Sequence, residues 1–135
     1  MRVIHVQVQP GRAKRLDVAA ADESLRRIAK NRSLVRRFKF EEGSDKGRYM
    51  NFNYLTTEPA QLWRALRSGP FRSGLLRSAA MVVCEGESGW DDYLLLHHWD
   101  RRLRLDSVPM NSSNAFKGRR AKRARPQHGH SAAKR

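Results

Sequence analysis

Alternation of polar and apolar residues in the first half of the chain limits the fold more than any other feature. Within residues 2–9 and 48–55, apolar residues recur at every second position from residue 4 to 8 and from residue 50 to 54, and they occupy most such positions of residues 34–42. A period of two is typical of a strand with one buried face. The segment Gly43–Gly47 between the last two strands is rich in turn-forming residues. We therefore predict a strand followed later by a β-hairpin.

Two amphipathic segments separate these strands from each other and from the rest of the chain. Asp17 can accept backbone N–H bonds at the start of a helix, and an apolar stripe follows at helical spacing from Val18 to Ile28. The second segment begins near Thr57-Glu58-Pro59, where proline is tolerated in the first turn. We predict a helix in each segment, the first ending near Asn31 and the second before Gly69.

Two apolar runs, residues 79–84 and 92–99, flank a polar loop that contains two glycines. This pattern predicts a second hairpin. The predicted order is then β-α-β-β-α-β-β, and its first six elements match the split βαβ arrangement called ferredoxin-like. We expect one α+β domain over residues 1–108, with two helices on one face of the sheet.

The strands of the second hairpin are apolar on both faces, unlike the first three strands. Strands of this kind are usually covered on both sides. We expect the second face to be covered by residues 103–110, by a second copy of the chain, or by a partner.

The C-terminal segment lacks the residues needed to build a core. Between Asn111 and Arg135 the only large apolar residue is Phe116, so burial cannot offset the entropy of ordering. We predict that residues 109–135 form a disordered tail. The tail contains eight of the 28 basic residues and none of the 13 acidic residues, so the net charge of +15 divides into +7 for the body and +8 for the tail. Such a balance favours polyanionic partners.

Cysteine content and hydropathy indicate the cellular compartment in which we expect the protein. Cys84 is the only cysteine, which excludes an internal disulfide and a zinc site built from several cysteines. The N-terminus lacks the continuous apolar core of a signal peptide. No stretch approaches the roughly 20 apolar residues of a membrane span. We therefore expect a cytoplasmic protein with no membrane partner.

Residues 84–100 bring together one thiol, five carboxylates and two imidazoles. A cysteine nucleophile or a divalent-metal nuclease site would draw on such groups. However, adjacent residues of a strand point to opposite faces, and no spacing here matches a metal motif. We interpret the stretch as a structural hairpin, and we predict no cofactor, no metal and no catalytic residue.

The charge distribution predicts a small non-catalytic protein that binds DNA or RNA. A cationic tail neutralises phosphates, and the polar face of the first three strands adds further contacts. The predicted nucleic-acid contacts are Lys117, Arg119, Arg120, Lys122, Arg123 and Arg125 in the tail, and Arg37, Lys39 and Tyr49 on the sheet.

Two alternatives remain open. The first is a protein-interaction module, such as an inhibitor, an antitoxin-like protein or an assembly protein. It would bind a protein partner or a second copy of the chain through the 85–99 hairpin, with Trp90, Asp91 and Asp92 as contacts. The second is a metal-dependent nuclease.

Overall fold

The computed structural model describes residues 1–72, 74–110 and 119–120, the last two by their backbone alone. Its strands form one antiparallel sheet in the order β2-β3-β1-β4-β5-β6. The strands are β1 Arg2–Val8, β2 Arg37–Ser44, β3 Arg48–Thr56, β4 Ala80–Gly86, β5 Gly89–His97 and β6 Arg119–Arg120. The helices are α1 Val18–Ala29, α2 Pro59–Ser68 and the short α3 Gly74–Arg77, with 3-10 turns at Pro10–Arg12 and Pro70–Arg72. The predicted α+β class is confirmed.

Helix α1 starts where its sequence predicts. The carboxylate of Asp17 accepts a hydrogen bond from the backbone N–H of Ala20 at 3.0 Å, which satisfies one of the unpaired donors of the first turn. Strand β2 begins at Arg37, three residues later than predicted. The carbonyl of Asn31 accepts the N–H groups of Leu34 and Val35, and this turn keeps both residues out of the sheet.

Helix α2 begins at Pro59, as predicted, and the hydroxyl of Thr56 accepts the N–H of Glu58 at 2.8 Å just before it. The helix buries Leu62, Trp63 and Leu66. Together with Leu25 of α1, these side chains cover one face of the sheet. Burial of such large apolar side chains stabilises the fold by roughly 1.5–3 kcal/mol each.

Tyr54 connects the sheet to α1 at the centre of this core. The residue is fully buried, and its hydroxyl donates a hydrogen bond to the carbonyl of Leu25 at 2.7 Å. Desolvation raises the pKa of Tyr54 far above its usual range, so the group stays a hydrogen-bond donor.

The second face of the β4–β5 hairpin holds a separate apolar cluster of buried residues, namely Met81, Val83, Tyr93 and Leu95. Among the described residues, Trp90 and Trp99 pack against this cluster. The expectation that residues 103–110 cover it is wrong, because that segment pairs with the edge of β5. There the N–H of Asp106 donates to the carbonyl of Leu95 at 2.7 Å, and the N–H of Leu95 donates to the Asp106 carboxylate at 2.8 Å.

Two residues of the predicted tail have a backbone structure. Arg119 and Arg120 form β6, which pairs with Tyr93 and Asp92 of β5. This short pairing does not test the predicted disorder of residues 109–135, which stays a prediction. The other tail cations predicted to contact nucleic acid, Lys117, Lys122, Arg123 and Arg125, lie outside the described residues.

Candidate nucleic-acid interface

A groove with a cavity volume of about 710 Å³ runs between α2, the end of β5 and the segment that follows it. Its rim carries four exposed arginines, and its floor contains buried and half-buried rings. We call this surface the arginine groove. The arginines are Arg64, Arg67, Arg77 and Arg101, and the rings are those of Trp63, Phe71, His97, His98 and Trp99.

Three rings of the floor, those of Trp63, Phe71 and His97, pack edge to face. The centroid of Phe71 lies 5.7 Å from that of Trp63 and 5.2 Å from that of His97, with interplanar angles of 72° and 71°. The guanidinium of Arg67 lies 5.6 Å from the Trp63 centroid, within the range of a cation–π contact. The floor is therefore a packed aromatic surface beneath cationic side chains.

The charge of the groove is not cancelled by neighbouring carboxylates. Among the described residues, none of its four arginines forms an ion pair. Two carboxylates also line the groove, but both bind groups of the protein. Asp100 accepts bonds from Arg102 at 3.1 Å, and Asp106 accepts the N–H of Leu95. The lining thus holds four guanidinium groups and two carboxylates, and this excess of positive charge is suited to an anionic ligand.

His97 and His98 contribute polarity to the groove rather than charge. His97 Nε2 lies 3.0 Å from the carbonyl of Arg77, and because a carbonyl only accepts, Nε2 carries the proton. His98 Nδ1 accepts the N–H of Asp100 at 2.9 Å. Burial lowers the pKa of both imidazoles, so neutral His97 offers Nδ1 as an acceptor and neutral His98 has its proton on Nε2.

A second concave surface, of about 640 Å³, lies on the opposite face of the sheet. We call it the sheet-face cleft. It brings together three of the residues that the sequence pointed to, namely Lys39, Tyr49 and Trp90, whereas Arg37 is exposed on β2 outside it. The complete lining is His5, Gln7, Lys39, Glu41, Glu42, Tyr49, Asn51, Asn53, Met81, Val83 and Trp90.

Cross-strand hydrogen bonds organise the polar part of the cleft. His5 and Asn53 lie opposite each other on β1 and β3, with His5 Nδ1 2.6 Å from Asn53 Oδ1. His5 Nε2 contacts the carboxylate of Glu85 on β4. One step along the strands, Gln7 Nε2 donates to Asn51 Oδ1 at 2.8 Å. Directly opposed polar pairs of this kind fix side chains on a sheet surface.

Trp90, near the start of β5, contributes a ring to the cleft, whereas the exposed Asp91 lies outside it. The ring of Trp90 stacks on His5 at a centroid distance of 6.0 Å and an interplanar angle of 15°, and it also contacts Tyr93 at 5.8 Å. Trp90 therefore packs on the sheet instead of projecting from the loop. Asp91 is exposed, and Asp92 pairs through its backbone with Arg120.

The other reactive groups of residues 84–100 are spread over the fold. Cys84 is fully buried in the core, where desolvation is the main cause that raises its pKa to about 12. The carboxylate of Glu87 pairs with Arg2 at 3.4 Å. Within the described residues, no three His, Cys, Asp or Glu side chains come together in a way that could hold a metal ion.

Sequence reasoning missed the arginine groove. Arg64 and Arg67 lie three residues apart on α2 and so share a side of the helix, a signal that was present in the sequence. Arg77 and Arg101 reach the same groove from α3 and from the segment after β5, and only the tertiary structure brings them there.

The chain was compared with protein families, with curated proteins and with solved structures. No protein-family model, no curated protein and no solved structure matches this chain. Among the described residues, every helix is too short or too polar to cross a bilayer.

Proposed function

We propose that this protein binds DNA or RNA without catalysing a reaction on it, and that the arginine groove is a main contact surface. The observation that carries the proposal is the group of four exposed arginines, without ion pairs in the described part of the chain, around an aromatic floor. Guanidinium groups bind phosphate oxygens through two parallel hydrogen bonds and remain charged at physiological pH.

The cationic tail adds a second, less specific attraction in this proposal. Six basic residues lie between positions 117 and 125, and the whole chain has a net charge of +15. Cations that contact phosphates release condensed counterions, so the resulting affinity falls as salt rises. The predicted sheet contacts Arg37, Lys39 and Tyr49 remain part of the proposal.

Two structural expectations belong with this proposal. The antiparallel order β2-β3-β1-β4, with α1 and α2 on one face, supports a ferredoxin-like arrangement of these elements. Strands β5 and β6 then extend the sheet beyond β4. The cytoplasmic location stays an expectation from cysteine content and hydropathy.

Fluorescence anisotropy with labelled single-stranded DNA and RNA tests the proposal. Binding of the full chain is measured at about 50 mM and about 200 mM salt, a range over which phosphate contacts lose much of their affinity. We compare Arg64→Gln/Arg67→Gln with Arg27→Gln/Lys46→Gln. The control removes the same charge from α1 and from the β2–β3 turn, at residues that do not line the groove.

The two variants have different expected salt dependences. Each lost phosphate contact lowers the slope of log affinity against log salt by about 0.7 on a single strand, so the groove variant loses up to about 1.4. The control keeps the parent slope. If the groove variant and the control variant have equal slopes, the groove is not a contact surface. If the parent protein shows no salt-dependent binding, the proposed function is wrong. Cleavage of the same oligonucleotides with Mg²⁺ or Mn²⁺ would support a nuclease instead.

A further inference from the structure

We infer that the sheet-face cleft binds an unpaired nucleobase from a strand whose phosphates lie along the arginine groove. This inference rests on the proposed function and adds the kind of nucleic acid that is bound. At about 640 Å³, the cleft is within the size range of pockets that enclose small organic ligands. Aromatic rings, buried apolar side chains and a few convergent amides line it, which is a suitable combination for a planar heterocycle.

The balance of positive and negative side chains in the cleft favours an uncharged ligand. Lys39 pairs with Glu41 at 3.2 Å, and Arg48 pairs with Glu42 at 3.4 Å. Arg48 lies outside the lining, and each ionised side chain that lines the cleft, namely Lys39, Glu41 and Glu42, therefore has an opposite charge beside it, in contrast to the arginines of the groove. A phosphate has no surplus cation to bind here, whereas a base offers ring faces and neutral hydrogen-bonding edges.

Tyr49 is positioned as one aromatic wall of the cleft before any ligand arrives. Its ring lies across Gly43 on the neighbouring strand, where an added Cβ would come within 2.5 Å of the Tyr49 hydroxyl oxygen. The absence of a side chain at Gly43 lets the ring lie close to the backbone. A ring that is already in place loses little conformational freedom when a base stacks on it.

Asn51 provides a hydrogen-bonding group beside that ring. Its Oδ1 accepts the Gln7 amide, which sets the orientation of the side chain. The Nδ2 group keeps donor capacity within the described part of the chain and can bond to a base carbonyl or ring nitrogen. Asn51 thus supplies a directed contact to the edge of a stacked base.

Trp99 connects the cleft to the arginine groove. It lines the groove and also packs on the apolar cluster that includes Met81 and Val83, both of which line the cleft. The guanidinium of Arg12 lies 3.9 Å above the Trp99 ring. A strand that crosses Trp99 therefore passes from a cationic surface to an aromatic and amide-lined one.

This arrangement requires a base that is free of pairing and stacking. In a duplex the bases are stacked and their edges are paired, so a base reaches a concave pocket only from a single strand or after flipping. Stacking of one base on an aromatic side chain contributes roughly 5- to 150-fold in affinity. We expect the protein to bind single strands more tightly than duplexes of equal length.

The test measures the affinity of the parent protein and of two variants for each of three ligands. The ligands are a labelled thymidine oligonucleotide of about twelve nucleotides, a fully abasic strand of the same length, and a duplex of the same length. The proteins are the full chain, Tyr49→Ala and the conservative Tyr49→Phe, each checked for folding by thermal unfolding. Only the Ala variant removes the ring.

The inference predicts a specific pattern of affinities. The parent binds the thymidine strand roughly 5- to 150-fold more tightly than the abasic strand. Tyr49→Ala loses much of that difference without weakening abasic binding, and Tyr49→Phe retains it. If Tyr49→Ala lowers affinity for both strands equally or for neither, the cleft does not bind the base.

The comparison of strands in the parent alone keeps the inference testable if Tyr49→Ala does not fold. Equal affinity for the thymidine and abasic strands would overturn it. Failure of the proposed function has a different signature, namely no salt-dependent binding to any of the three ligands. If binding depends on salt but is equally tight for the thymidine and abasic strands, the arginine groove remains the proposed contact surface and the cleft does not bind a base.

Discussion

Reaction of Cys84 with a thiol reagent measures how firmly the core encloses the only cysteine of the chain. Burial is the main cause that raises the pKa of Cys84, from 9.0 to about 12. The nearby carboxylates of Glu85 and Asp92 raise the pKa further, and Arg2 partly opposes them. The reacting species is the thiolate.

The magnitude of the expected effect follows from the pKa shift. A rise of about three log units lowers the thiolate fraction at neutral pH roughly 1000-fold. The exposed surface of Cys84 is 0%, so the reagent also has no access to the sulfur in the folded state. Native Cys84 should therefore react roughly 1000-fold more slowly than an unfolded cysteine.

The assay follows release of the coloured thiolate from Ellman's reagent by native and by denatured protein. A positive control carries Ser88→Cys in a Cys84→Ala background, because Ser88 lies exposed in the β4–β5 turn. We expect rapid reaction of the control and of denatured protein, and almost none of native Cys84. Reaction of native Cys84 within tenfold of the control would refute the argument that this residue is an inert part of the core.

Three further predictions concern the stability of the fold. Tyr54→Phe deletes the hydroxyl that donates to Leu25 and should lower the free energy of unfolding by about 0.5–1.5 kcal/mol, measured by denaturant titration. Asp17→Ala removes the cap of α1 and should cost about 1 kcal/mol, with Asp17→Asn close to the parent in the same titration. Because burial lowers the pKa values of His97 and His98, the unfolded state takes up protons first, so stability present above pH 6.5 is lost as the pH falls below it. Unfolding curves across this pH range should show that His97→Gln/His98→Gln loses less free energy of unfolding than the parent. If the variant has the same pH dependence as the parent, the two histidines do not cause the loss.

Local sequence patterns predicted most of the elements because their causes are local. Alternation identifies a strand with one buried face, and Asp17 and Pro59 mark helix starts through bonds and backbone angles within one turn. The start of β2 was misplaced for a local reason as well. The carbonyl of Asn31 binds two following N–H groups, and apolar Leu34 does not reveal this turn.

The candidate surfaces depend on contacts between distant parts of the chain. Arg64 and Arg101 meet at one groove only after α2 packs on the sheet and the chain turns back beyond β5. Trp90, a predicted partner contact, stacks on His5 across the sheet, and the sequence alone does not reveal this packing.

The sequence by itself determined the α+β class and the excess of positive charge, because backbone preference, hydrophobic periodicity and net charge are properties of neighbouring residues and of composition. The tertiary structure alone decided which cations have no carboxylate partner among the described residues and which rings line a cavity. Both depend on distances between residues far apart in the chain, and packing of the whole core sets those distances.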